Sequence, residues 1–173
     1  HKRESSTLNQ KIVWDPEIDA PATIAIIGCG PVAIEAALYA RFLGYSVFVY
    51  ERSRPAASLA RFPRRDAGSR GECCSSLGLA ALEAQETPCG LRTDQSISVQ
   101  EYVDQYLLPL ARTDLLYDSI NIQSEVCSVS RTCCDESLEK NQAAKAELEF
   151  RLLISSRKRG AYVQIADIVL DCS

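Results

Sequence analysis

Residues 22–51, ATIAIIGCGPVAIEAALYARFLGYSVFVYE, constrain the fold more than any other part of the chain. An apolar run from Ala22 to Ile27 stops at Gly28-Cys29-Gly30-Pro31-Val32-Ala33. A helical pattern follows as far as Leu43, Gly44 ends it, and a second apolar run, Tyr45 to Tyr50, leads into Glu51. Parallel strands need a crossover, and a helix packed on the sheet is the usual one. The order therefore predicts strand, glycine turn, helix, strand and acid, with the helix N-terminus aimed past the strand end.

Free amides and the positive end of the helix dipole make that spot attractive to phosphate. Gly28 permits the tight turn, Gly30 lets a pyrophosphate approach the backbone, and Ala33 allows close helix–strand packing. Pro31 falls at the first helical position, where its missing N–H costs nothing. Glu51, 23 residues after Gly28, stands where an acid accepts hydrogen bonds from ribose hydroxyls. A bare βαβ turn would need only the glycines; the flanking strands, the helix stop and the acid together point to a dinucleotide.

The remaining 52–173 add elements in order. Residues 52–94 carry six arginines by position 70 and several Gly, Pro and Ser. They read mostly as an irregular connection with a short helix near Leu77 to Ala84, and its arginines, Arg52 excepted, read as solvated. Ser98 and Glu101 form a capping box for a helix over 98–112, which Pro109 should bend or end early. Its Tyr102 and Tyr106 are packing residues. In the first helix the alanines share one face, leaving Glu35, Tyr39 and Arg41 outward or on the flank. INIQSEVCSVS, 120–130, reads as a strand with an irregularity near Ser124, and a polar connection follows over 131–147. Residues 148–154 and 161–165 alternate as a hairpin across SSRKRG. The apolar centre of 167–172 reads as a strand buried on both faces. Residues 1–21 read as a polar arm, with Ile12 and Trp14 available to pin it.

Charge and composition exclude several classes. A net charge of -4 gives no electrostatic reason for nucleic acid or an anionic membrane as partner, and no apolar run approaches the length of a membrane span. Eight cysteines are present, one inside the glycine turn and none in a CxxC. That use suits a reduced, cytoplasmic protein better than a disulfide framework. Cys73-Cys74 and Cys133-Cys134 read as packing rather than redox pairs, since adjacent cysteines close only a strained ring. The single histidine, His1, excludes a Cys/His zinc site and a His-based triad. The absence of methionine, initiator included, raises the expectation of a longer chain or of methionines missing from the sequence. An intact mass of 19.0 kDa would refute it.

The layout resembles the two-dinucleotide-binding flavoproteins, which include pyridine nucleotide-disulfide oxidoreductases and flavin-containing monooxygenases, over most of residues 22–173. GCGPVAIEAALYARFLGYSVFVYE carries the likeness most strongly, with Ala37 as its further small residue. Cys172-Ser173 stands where an Ala-Thr pair precedes a glycine turn. The resemblance implies an α/β fold of the Rossmann-type FAD/NAD(P)-binding kind: a parallel sheet from 22–27, 45–50, 120–129 and 167–172, a small antiparallel excursion, and an incomplete C-terminal end. It implies an FAD-dependent oxidoreductase linked to NAD(P)H and acting on a small molecule. Gly28, Cys29, Gly30, Pro31 and Val32 would hold the pyrophosphate, Glu51 the ribose with Arg52 beside it, and the backbone of Val126 the adenine. No CxxC or CxxxxC follows the first helix, so disulfide reduction is not implied. The residues alone also leave open a flavin-free NAD(H)-binding dehydrogenase or reductase, in which Glu51 would repel a 2′-phosphate. A non-catalytic nucleotide-binding module is open as well.

Overall fold

The computed structural model describes residues 20–131 and 149–173. Strand β1 (Thr23–Ile27) enters the glycine turn, helix α1 (Pro31–Phe42) follows, and strand β2 (Ser46–Glu51) returns parallel to β1, with Thr23 opposite Ser46 and Ile27 opposite Tyr50. Gly44 closes α1 at φ +86°. The amides of Gly44 and Tyr45 donate to the carbonyls of Arg41 and Ala40, each at 3.0 Å. This Schellman closure requires a left-handed residue, which glycine adopts without a Cβ penalty. Ala33 and Ala37 are fully buried, so α1 lies directly on the sheet.

The 52–94 connection holds more structure than its composition suggests. A 3-10 turn (Leu59–Arg61) leads to β3 (Asp66–Ser69), then α2 (Arg70–Cys73), α3 (Ser76–Ala84) and β4 (Ser96–Ser98), which pairs antiparallel with β3. Ser69-Arg70-Gly71-Glu72 is a capping box for α2, the same signal that Ser98 and Glu101 give to the next helix. That helix begins as α4 (Val99–Tyr102), widens into a π turn over Val103–Leu107 and continues as α5 (Leu108–Ala111). Pro109 does not end it early. The Leu108 amide reaches back to the Val103 carbonyl, so the ladder is already opened ahead of the proline ring.

The strand expected over 120–129 is two strands in two sheets. β5 (Ile120–Ile122) pairs parallel with β2, whereas β6 (Ser124–Arg131) pairs antiparallel with β7 (Phe150–Ser156), which pairs with β8 (Gly160–Ala166). Gln123 between them has φ +53° and turns the chain out of the first sheet. Ser124 Oγ fixes the corner by donating to the Ile122 carbonyl and bonding Ser156 Oγ at 3.1 Å. β9 (Ile168–Asp171) completes the parallel sheet in the order β5-β2-β1-β9. It is not buried on both faces: Ile168 is 39% and Leu170 36% exposed, because β9 forms the sheet's edge among the described residues.

Helices cover one face of the parallel sheet, with Ile26, Ile34, Leu38, Leu82 and Leu110 fully buried between them. The antiparallel sheet covers the other, placing Leu152, Ile154 and Ala166 against Ala25 and Tyr50. Each fully buried Leu or Ile contributes about 1.5–3 kcal/mol. Of the expected outward or flank positions Glu35 takes the flank: its carboxylate accepts the Tyr106 hydroxyl and its Oε2 is buried without a hydrogen-bond partner in the structure. The arm with Ile12 and Trp14, the 132–147 connection and Cys133-Cys134 lie outside the described residues.

Candidate functional site

The C-terminal ends of β1, β2 and β9, together with the start of β6, border a cleft of about 670 Å³. The glycine turn forms its floor. Gly28 has φ +91°, and a Cβ there would stand 2.9 Å from the Cys172 carbonyl oxygen. The turn and the end of β9 therefore pack backbone to backbone, which no larger residue permits. The Gly28 amide donates to Tyr50 O at 2.8 Å. Gly30 is the N-cap of α1 and supplies no side-chain cap, no acid lies in the first turn, and no atom lies within 4 Å of where its Cβ would be. The first-turn amides of α1 lack intrahelical partners by geometry. An open approach to them at the positive end of the helix dipole is a place for an anion.

Glu51 ends β2 and faces the turn. Its Oε2 accepts the Cys29 amide at 3.0 Å and its Oε1 the Ser53 amide at 2.7 Å. A carboxylate has about four acceptor positions, so each oxygen keeps capacity for a further donor. Burial, and then the charge of Glu51, push the Cys29 thiol up to about 12. Cys29 therefore stays protonated near neutrality and its sulfur is a packing group. At the rim, Asp171 Oδ1 accepts both the amide and the hydroxyl of Ser173, and these bonds lower its pKa.

The structure brings Gly28, Cys29, Gly30, Glu51, Arg52 and Val126 into the wall of one cleft. Val126 reaches it from β6, in the other sheet, just before a bulge in the pairing with β7. Pro31 and Val32 begin α1 beside the cleft without lining it, and Val32 is 71% exposed.

Sequence reasoning missed Arg61, Ser124 and Cys172, which also line the cleft. Arg61 arrives because the Ala56 amide donates to the Cys29 carbonyl at 2.8 Å, drawing the connection over the glycine turn. Ala56 sits at φ +57°, a conformation its type does not announce. Nothing in the sequence separated Arg61 from its neighbouring arginines.

No protein-family model matches the chain, and no curated protein sequence does. Solved structures do. Bacillithiol disulfide reductase Bdr (YpdA) from Bacillus cereus is similar at 16% identity and TM-score 0.60, over 87% of this chain and 39% of that one. CmlS, a flavin-dependent halogenase, is similar at 20% identity and TM-score 0.52, over 88% of this chain and 29% of that one. OTEMO in complex with FAD and NADP is similar at 11% identity and TM-score 0.56, over 89% and 26%.

Over its matched length the chain shares the fold of these three structures. The chain spans well under half the length of each of these three structures. The matched part takes in the three layers: a parallel sheet, helices on one face and a small antiparallel sheet on the other. Among the described residues no helix is long and apolar enough to cross a membrane, and no cluster of His, Cys, Asp and Glu could hold a metal ion.

Proposed function

We propose that residues 22–173 are the FAD-binding segment of a flavin-dependent oxidoreductase that takes electrons from NAD(P)H and acts on a small molecule. The observation that carries this reading is the pairing of an uncapped, sterically open helix N-terminus at Gly30 with the Glu51 carboxylate in one cleft. These are the two groups a dinucleotide needs, one for its phosphates and one for a ribose. The resemblance at GCGPVAIEAALYARFLGYSVFVYE and the flavoprotein fold favour FAD over a nicotinamide cofactor there.

In this reading the turn from Gly28 to Val32 holds the pyrophosphate through the amides of Gly30 and Val32, since those of Gly28 and Cys29 donate to Tyr50 and Glu51, and Pro31, which has no N–H, presets the helix start. Glu51 orients the adenosine ribose through the acceptor positions that Cys29 and Ser53 leave open. Arg52 and Arg61 set positive charge at the rim, and the backbone of Val126 meets the adenine. FAD, when bound, supplies the redox chemistry, while these residues bind it, orient it and exclude water. A cytoplasmic location fits the free thiols of Cys29, Cys73, Cys74, Cys89, Cys127 and Cys172.

Titration of the purified chain with FAD, read by flavin fluorescence and visible absorbance, tests the proposal. Saturable one-to-one binding that Glu51→Ala weakens is the expected result. A protein that ignores FAD but binds NADH would overturn the flavin assignment. One that binds neither would overturn the dinucleotide site altogether.

A further inference from the structure

The β7–β8 hairpin turns through Arg157, Lys158 and Arg159, three consecutive cations that the proposed dinucleotide site does not use. All three are exposed, and among the described residues no carboxylate pairs with them. Their place in the fold is not that of an ordinary solvated turn. Ser156, the residue before the turn, pairs with Ser124 at the start of β6, and Ser124, Glu125 and Val126 form part of the cleft wall.

The turn is fastened to that wall by its backbone. The Arg157 amide donates to the Gln123 carbonyl at 3.1 Å. The Lys158 amide donates to Ser156 Oγ at 3.4 Å, and that oxygen is bonded to Ser124 Oγ at 3.1 Å. Gly160 closes the turn at φ +74°. Paired strands run about 4.8 Å apart, so the turn stands at the cleft mouth within about one Debye length, roughly 8 Å at physiological salt. None of these bonds uses a charged side chain, so holding the turn in place is not what the cations do.

Charge balance at the mouth decides what they can do. Among the side chains that line the cleft, Arg52 and Arg61 offset Glu51 and Glu125, and Asp171 adds a negative charge at the rim. The whole chain carries a formal charge of -4. A dinucleotide's pyrophosphate, with a negative charge on each phosphate, would meet no net attraction there if the turn were neutral. The turn reverses that sign.

We propose, on the dinucleotide reading of the cleft, that Arg157, Lys158 and Arg159 are an electrostatic capture element that draws the pyrophosphate in and sets the association rate. Charges of one sign at a cleft mouth raise the on-rate of an oppositely charged ligand by about 10- to 1000-fold. Charges at a rim act on association and its salt dependence, whereas groups buried against the ligand act on dissociation.

Association and dissociation of FAD and of NADH, followed by stopped-flow fluorescence on the full chain across a range of sodium chloride, test this. Either cofactor serves, since both carry a pyrophosphate. The variant combines Arg157→Gln, Lys158→Gln and Arg159→Gln, which keep the backbone bonds of the turn. Roughly 10-fold slower association at low salt, a koff within about twofold of wild type, and convergence of the two proteins above about 0.5 M salt are expected. Arg112 lies three residues before Leu115, whose carbonyl accepts Arg41 Nε from the last turn of α1 at 3.1 Å, at the end of that helix away from the cleft. Arg112→Glu, a comparable change in net charge, should leave association within about twofold. An unchanged on-rate in the triple variant at low salt, a change confined to koff, or an equal effect of Arg112→Glu would overturn the capture element and leave the dinucleotide site standing. Wild-type protein that binds neither FAD nor NADH would overturn both.

Discussion

The amide of Cys29, in the middle of the glycine turn, donates to Oε2 of Glu51 at 3.0 Å, so the turn and the acid form one hydrogen-bonded unit. Ser53 donates to the other oxygen at 2.7 Å. Glu51→Gln must therefore set an amide NH2 against one of two backbone N–H groups, and Glu51→Ala leaves both without this acceptor. Hydrogen bonds to a charged group contribute about 1.5–3 kcal/mol. We expect FAD affinity to fall roughly 10- to 100-fold in either variant. Fluorescence titration beside urea unfolding separates lost affinity from lost stability, and an unchanged FAD affinity would remove Glu51 from the site.

Gly78 of α3 faces Tyr106 of the π turn. A Cβ at Gly78 would stand 2.8 Å from Tyr106 Cζ and closer still to its hydroxyl, which is bonded to Glu35 and to the Ser75 amide. Gly78→Ala must displace that hydroxyl and is expected to cost about 3 kcal/mol. Tyr106→Phe should cost about 1–3 kcal/mol, since Glu35 then loses its donor. In the Tyr106→Phe background the added methyl should cost less than in the wild type. Denaturant unfolding of the double-mutant cycle measures the coupling, and strict additivity would contradict this geometry.

Helices α1 and α3 end in the same Schellman geometry, one with Gly44 at the left-handed position and the other with Glu86. A left-handed conformation costs an ordinary residue roughly 1–2 kcal/mol, which glycine avoids at some cost in unfolded-state entropy. Glu86→Gly should stabilise the chain by about 0.5–1 kcal/mol, and Gly44→Ala should destabilise it by about 1 kcal/mol. Thermal midpoints moving in opposite directions would bear this out.

Alkali should destabilise the protein through its buried thiols and phenols. Burial raises Cys29 from 9.0 to about 12, and Cys74, Tyr50, Tyr102 and Tyr106 are raised mainly by burial as well. Above the unfolded-state pKa values the unfolded chain binds fewer protons than the folded one. Stability from these groups is thus fully present below about pH 9 and is lost as the pH climbs towards 12. Urea midpoints measured from neutrality upwards should hold level and then decline over that window.

The βαβ unit was legible because its signals are local and mutually consistent: Gly44 as a stop, Pro31 as a start and the alanine face all act within one helix. The Ser98–Glu101 cap was legible for the same reason. What escaped depends on residues in conformations their types do not favour. Gln123 at φ +53° split one expected strand into two sheets, and Ala56 at φ +57° carried Arg61 to the cleft. The bond of Glu35 to Tyr106 escaped because the two lie 71 residues apart and no pattern within α1 announces it. Alternation in β7 gave the hairpin correctly, yet the exposure of β9 depends on which strands lie beside it, a property absent from its own apolar run.

The pairing of β1 with β9 has a consequence for synthesis. The Thr23 amide bonds Asp167 across 144 residues, and the glycine turn rests on the backbone of Cys172. A nascent chain that has made the whole fingerprint therefore still lacks the strand against which that fingerprint is set. Such long-range closure is slow and comes late. Helix α1 and its neighbours can assemble while the ribosome is still working, but the cleft takes its shape only after Cys172 has emerged, and until then β1 presents an open edge.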